Sequence, residues 1–331
     1  MTLDHQTRDL IDQFASSGYP GFAAMTVAEA RRTLVELRAL AGPPEPIATS
    51  EAEVAVRGGV VPLRVYAPVG DAPLPAVVYF HGGGFVCGGL DTIDAPLRAL
   101  ANRAGCAVVS VGYRLAPEHR FPTAHQDAYA ATAWVAANAA GLAIDPDRLA
   151  VAGDSCGGNL ATSVALMARE RGPDLAFQAL VYPMLDPACD SASQREFGEG
   201  FLVTRADLRW FWRHYLSSSE DAADPLASPL LTGVLEGLPR ALVVTAEYDP
   251  LRDEGEAYAD RLRGAGVAVT AKRYDGLIHA CFQMGGVIDR SRAVIDDVAR
   301  VLRTALAAES APRTASRASP AAAGDRGLEL R

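Results

Sequence analysis

The chain has 331 residues, 49% hydrophobic and 21% charged, a balance that fits a folded domain with a large core and not a disordered chain. Its net charge of −9 argues against the basic face that binding to a nucleic-acid backbone requires. Five scattered cysteines without a C-x-x-C pair, no apolar run near the roughly 18 residues of a membrane span, and the charged opening M-T-L-D-H-Q-T-R-D-L argue against a disulfide framework, a zinc site, a spanning helix and a signal peptide; reduced thiols in a cytoplasm are the expectation.

In chain order, residues 1 to about 40 read as two helices. Leu10, Ile11 and Phe14 share a face, and Thr26 followed by Glu29 is a capping pattern. The run Gly42-Pro43-Pro44-Glu45-Pro46 ends this part. Residues 51–56 and 60–66 alternate as strands around Gly58-Gly59 and read as a hairpin. Buried-strand runs follow at 75–80, 106–111, 148–152, 179–182, 241–245 and 268–274. Helical patterns lie between them at 94–104, 125–139, 159–171 and 254–264, and a last helix at 291–308. Short β-branched runs alternating with helices predict an α/β protein with a mostly parallel sheet covered on both faces. The segment between 182 and 241 differs in character and holds the aromatic stretch Trp210-Phe211-Trp212-Arg213-His214-Tyr215. Residues 310–331 lack apolar periodicity and are expected to be disordered.

Gly153-Asp154-Ser155-Cys156-Gly157 matches G-x-S-x-G between a predicted strand and a predicted helix, the setting of a nucleophile elbow. Ser155 holds the central position, where the turn lifts the side chain clear. Cys156 holds the next one, where the backbone N–H faces the developing oxyanion and the thiol does not. His81-Gly82-Gly83-Gly84 follows a strand and offers backbone N–H groups unobstructed by side chains, an HGGG-type oxyanion loop. A phosphate cradle is disfavoured, since Cys87 stands where G-x-G-x-x-G needs glycine and no G-K-[ST] occurs. His81 is expected to fix the loop by hydrogen bonding.

The base follows by elimination. In this architecture it comes after the nucleophile and the acid, which leaves His214, in the aromatic insert, and His279, after the last strand and the predicted turn Asp275-Gly276. His279 is the candidate. Asp249 and Asp186 both follow strands; Asp249, one strand and one helix before His279, is preferred.

H-G-G-G-F at 81–85, Y-R-L-A-P-E-H at 113–119, G-D-S-x-G-G-N at 153–159, D-P-L-R-D-E at 249–254 and D-G-x-x-H ending at His279 together resemble the hormone-sensitive-lipase-like (bacterial family IV) esterases of the α/β-hydrolase superfamily. The resemblance implies Ser155, Asp249 and His279 as catalytic triad. It implies Gly83, Gly84 and the Cys156 N–H as oxyanion hole. It also implies a helical cap, which divides the chain into cap helices (1–45), a first core part (46–186), a cap insert (187–235) and a second core part (236–309). Two residues depart from the family pattern. Cys156 stands where alanine is usual, and Ala280 where glycine usually follows the histidine.

Phe85, Trp210 and Ala280 are the expected pocket residues, with Phe14, Phe22, Phe211 and Trp212 as further aromatic candidates. The expected activity is a cofactor-free, metal-free serine carboxylesterase acting on short- to medium-chain esters. Its partner is a small-molecule ester, and a homodimer is left open. An acyltransferase or tailoring deacetylase on the same site is the alternative. A non-catalytic small-molecule receptor is the remaining one, and it predicts a broken triad.

Overall fold

The structure is a computed structural model that describes residues 2–307; the tail at 310–331 lies outside the described residues. Among these described residues eight strands form one sheet: β1 (Ala48–Val56), β2 (Gly59–Ala67), β3 (Leu74–Phe80), β4 (Ala107–Val111), β5 (Ile144–Asp154), β6 (Phe177–Val181), β7 (Arg240–Tyr248) and β8 (Val269–Ile278). Their order is β1-β2-β4-β3-β5-β6-β7-β8. The expected hairpin, β1 with β2, is antiparallel and joins β4 antiparallel, while every pair from β4 to β8 is parallel.

Among the described residues, ten α-helices are present: α1 (His5–Ser16), α2 (Val27–Leu37), α3 (Asp94–Ala104), α4 (Thr123–Ala137), α5 (Cys156–Arg171), α6 (Ala192–Glu196), α7 (Arg205–Tyr215), α8 (Ser219–Ala223), α9 (Arg252–Gly264) and α10 (Asp289–Ala305). In β3, Val78 and Phe80 join one apolar cluster with α4, α5 and α9, while Val77 and Tyr79 join the opposite cluster with α3 and α10. Both faces of the strand are therefore buried. This is why its sequence reads as a continuous apolar run and not as an alternating one.

The Thr26–Glu29 capping box forms as read: Glu29 N–H donates to Thr26 Oγ1 at 3.3 Å and Thr26 N–H to Glu29 Oε2 at 2.8 Å. It starts α2, which Arg31 then ties to the sheet's loops. The Arg31 guanidinium donates to the carbonyls of Val86 and Ala116, both at 2.9 Å, and forks onto Glu118. That pairing holds the Glu118 carboxyl down at about 2. On the other side, Asp207 of α7 accepts the Ala23 N–H at 2.7 Å, and the Phe22 and Phe211 rings meet at 5.2 Å. The chain's N-terminal part and the segment between β6 and β7 thus meet over the ends of the parallel strands.

One local expectation needs correction. Asp275-Gly276 is not a turn after the last strand but an irregularity inside it. From Ala246 to Tyr248 on β7, β8 runs from Tyr274 to Ile278, so it carries extra residues like a bulge. Gly276 takes φ 77° there, and its N–H donates to Glu247 Oε2 at 2.7 Å. The bulge re-aims the strand's exit, where His279 stands.

Candidate active site

Ser155 sits between the end of β5 and the start of α5 with φ 56° and ψ −122°, a backbone conformation costly for a non-glycine residue. Its surroundings hold it there. The Ser155 N–H donates to Val181 O at 2.9 Å, and its carbonyl accepts from Gly158 and Met184, both at 3.0 Å. Gly157 has to lack a side chain, because a Cβ would collide with the Phe80 carbonyl. The turn raises the Ser155 side chain at the N-terminus of α5, whose dipole favours negative charge.

His279, just beyond β8, meets Ser155 and Asp249. Its Nε2 lies 3.1 Å from Ser155 Oγ and its Nδ1 2.9 Å from Asp249 Oδ2. A carboxylate only accepts, so Nδ1 carries the proton and Nε2 is free to accept the Ser155 hydroxyl proton. Asp249 is fully buried, and its other oxygen accepts the Leu251 N–H at 2.7 Å. Asp186, the alternative acid, points elsewhere and closes a local turn by accepting Ala188 N–H at 2.8 Å. His214 packs on Trp210 at 4.3 Å, away from this line.

The loop after β3 passes Ser155 with Gly83 at φ 120°, Gly84 at φ 62° and Phe85 at φ 63°. Among the described residues neither Gly83 nor Gly84 N–H goes to a backbone partner, and the Gly84 N–H lies close enough to the Cys156 thiol to act on it. At Gly84 a Cβ would run into the Phe211 ring. His81 anchors the start of the loop: its Nδ1 donates to Gly82 O at 2.7 Å, and its ring stacks on Tyr113 at 4.3 Å. Burial pushes this imidazole down to about 4, so it is neutral at pH 7. Cys156 is completely buried, and burial pushes its thiol up to about 12. A thiol this reluctant to ionise is a poor nucleophile.

A narrow cavity of about 80 Å³ opens on Ser155, His279, Gly83 and Gly84. Its far wall is apolar, built from Tyr19, Phe22, Leu34, Leu208 and Phe211, with Ala280 and Met184 beside the serine. Ala280 adopts φ 63°. Two expected pocket residues do not line it. The Phe85 ring is turned behind the loop and stacks on Tyr215 at 3.9 Å. Trp210 lies on the other side of α7, against Phe211 and His214. Helical spacing marks α7 as aromatic but does not say which ring faces the cavity. Phe14 and Trp212 are likewise packing residues, whereas Phe22 and Phe211 do reach the cavity.

Sequence reasoning missed the links between these loops. Asp154 is buried and accepts from Tyr79 Oη at 3.0 Å, Gly82 N–H at 3.0 Å and Gln283 Nε2 at 2.8 Å. A charged residue inside an apolar elbow was the available signal. Nothing in the sequence paired it with Gln283. Among the described residues no group of three His, Cys, Asp or Glu side chains is arranged to hold a metal ion, and no helix is long and apolar enough to cross a membrane.

A largely parallel sheet, a serine raised at a strand–helix turn and a histidine beyond the last strand define the α/β-hydrolase class. The chain belongs to the α/β-hydrolase fold family, which matches residues 77–283. An ethyl acetate hydrolase of Pseudomonas putida is 42% identical over 276 residues, 81% of this chain and 87% of the relative. A carboxylic ester hydrolase of Mycobacterium tuberculosis is 43% identical over 258 residues, 75% of this chain and 69% of the relative. The solved hyperthermophilic esterase of Pyrobaculum calidifontis superposes with a TM-score of 0.88 at 42% identity, covering 93% of this chain and 100% of that one. These relatives bear out the resemblance to the hormone-sensitive-lipase-like esterases.

Proposed function

We propose that the chain is a serine carboxylesterase that hydrolyses short- to medium-chain carboxylic esters through an acyl-enzyme on Ser155. One observation carries the reading: the unbroken line from Asp249 through His279 to Ser155, with contacts of 2.9 and 3.1 Å. As Ser155 Oγ attacks the ester carbon, its proton passes to His279 Nε2 and the carbonyl electron pair moves onto oxygen. Gly83, Gly84 and Cys156 supply backbone N–H groups for that oxyanion. Collapse restores the carbonyl and expels the alkoxide, which takes the proton from Nε2. Water then repeats the sequence and releases the acid. Asp249 holds the tautomer and balances the imidazolium.

The helices of 1–45 and 187–235 act as a cap in this reading. The narrow, apolar cavity beneath them supports the limit on acyl length, and ethyl acetate hydrolysis by the Pseudomonas putida relative points the same way. The five buried, unpaired cysteines suit a cytoplasmic enzyme, and a homodimer is compatible with it.

Ser155→Ala should abolish turnover of p-nitrophenyl acetate and butyrate, with Cys156→Ala still active. Retained turnover in Ser155→Ala would contradict the assignment.

A further inference from the structure

The residues on either side of Ser155 each accept a backbone N–H from the glycine loop. Gly82 N–H donates to Asp154 Oδ1 at 3.0 Å, and Phe85 N–H donates to Cys156 Sγ at 3.2 Å. The two donors bracket Gly83 and Gly84, whose N–H groups are the oxyanion donors of the proposed mechanism. We propose that the side chains of Asp154 and Cys156 form a two-point clamp that keeps the oxyanion donors in register with Ser155, and that Asp154 extends it through Gln283 to the loop carrying His279. Both are positioning residues, and the inference rests on the esterase reading.

Three features support it. The clamped stretch runs through φ 120°, 62° and 63° at Gly83, Gly84 and Phe85. A non-glycine residue stays in that region only when its surroundings hold it. Both acceptors are buried, Asp154 at 1% and Cys156 at 0% exposure, so a lost acceptor leaves an orphaned N–H in a dry interior. The thiol is also oriented. Tyr113 Oη, which donates to His81 O at 2.7 Å, lies 3.6 Å from Sγ, and His81 O lies 3.8 Å from it, so the thiol hydrogen has two acceptors there and a sulfur lone pair is left for the Phe85 N–H. Because burial keeps it protonated, it acts as donor and acceptor at once.

Asp154 makes the stronger case. A buried carboxylate is costly unless its acceptors are filled. Here the donors are Tyr79, Gly82 and Gln283, which belong to a strand, the oxyanion loop and the histidine loop. Oxyanion donors work only within a few tenths of an ångström of their target, and a misplacement of about 1 Å can cost about 100-fold. A clamp of this kind therefore shows in the tetrahedral state and not in substrate binding.

The test compares Cys156→Ala, Cys156→Ser and Asp154→Asn on p-nitrophenyl butyrate, with affinity measured for an alkyl trifluoromethyl ketone. Ser155 adds to this ketone to give a tetrahedral oxyanion without a leaving group. Cys156→Ala should lower kcat about three- to tenfold with KM unchanged, and weaken the ketone by the same factor. Cys156→Ser, which restores an acceptor, should recover most of both. Asp154→Asn keeps an oxygen for Gly82 and presents an amide N–H₂ to Gln283, whose amide can turn to accept it through Oε1. Its loss should therefore stay well below that of Asp154→Ala, which leaves the Gly82 N–H without its acceptor. Ketone affinity unchanged in Cys156→Ala, or no recovery with serine, overturns the clamp. If Asp154→Asn fails to fold, the two Cys156 variants decide alone. Full kcat in the clamp variants with an inactive Ser155→Ala defeats only this inference, whereas an active Ser155→Ala defeats the esterase reading itself.

Discussion

Asp249→Asn probes the tautomer argument most sharply, because the structure dictates which way the new amide must face. Asp249 Oδ1 accepts the Leu251 N–H at 2.7 Å, while Oδ2 accepts from His279 Nδ1 at 2.9 Å. The Leu251 N–H needs an acceptor, so the amide oxygen takes that side and the N–H₂ group faces His279. Nδ1 must then accept, which places the imidazole proton on Nε2, 3.1 Å from Ser155 Oγ. A protonated Nε2 cannot take the serine proton. A tautomer fault of this kind in a serine triad costs about 10⁴-fold in kcat, equivalent to about 5.4 kcal/mol of transition-state stabilisation. Shape is conserved, so KM and thermal stability should change little. The assay is steady-state hydrolysis of p-nitrophenyl butyrate near pH 7.5, with a melting curve as control. A loss below tenfold in a folded variant would refute the reasoning, since the orientation imposed by Leu251 leaves no productive tautomer.

Two further outcomes follow from the same geometry. Phe211 closes over Gly84 and faces Phe22, so Phe211→Ala should raise the octanoate-to-butyrate ratio of kcat/KM by about five- to tenfold and destabilise the fold by about 3 kcal/mol; an unchanged ratio would mean the acyl chain runs elsewhere. His81 and His125 are each pushed down to about 4 by burial, below the unfolded value of about 6.5. The unfolded chain thus takes up protons first as pH falls. The stability associated with each group is full above pH 6.5 and drains toward pH 4, by at most about 1.4 kcal/mol per pH unit. In ¹⁵N spectra of labelled imidazoles these two rings should stay neutral at pH 5.5, and midpoints near 6.5 for both would contradict their burial.

Much of this was legible in the sequence where local chemistry decides. The Thr26–Glu29 pattern starts α2, and β-branched runs mark β3 and β4. Glycines spaced around Ser155 mark a turn that tolerates no side chain. What the sequence withheld depends on contacts between distant parts. Aromatic residues cover most sides of α7, and periodicity cannot tell that Phe211 faces the cavity while Trp210 and Trp212 pack behind it. The expectation that Phe85 lines the pocket failed for a similar reason, because the φ of 63° turns its ring onto Tyr215. Gly276 reads as a turn residue, yet it serves a bulge whose partner, Glu247, lies 29 residues earlier. The bonds from Gly82 and Gln283 to Asp154 span 72 and 129 residues, and no local pattern encodes them.

In the proposed mechanism the Ser155 oxygen, and not the neighbouring thiol, forms the covalent intermediate. Peptide mapping after reaction with a fluorophosphonate tests it most directly, because Ser155 and Cys156 are distinguished by fragment masses. A single adduct is expected on Ser155, absent from Ser155→Ala and from His279→Ala. An adduct on Cys156, or none on an enzyme that still hydrolyses p-nitrophenyl butyrate, would contradict it.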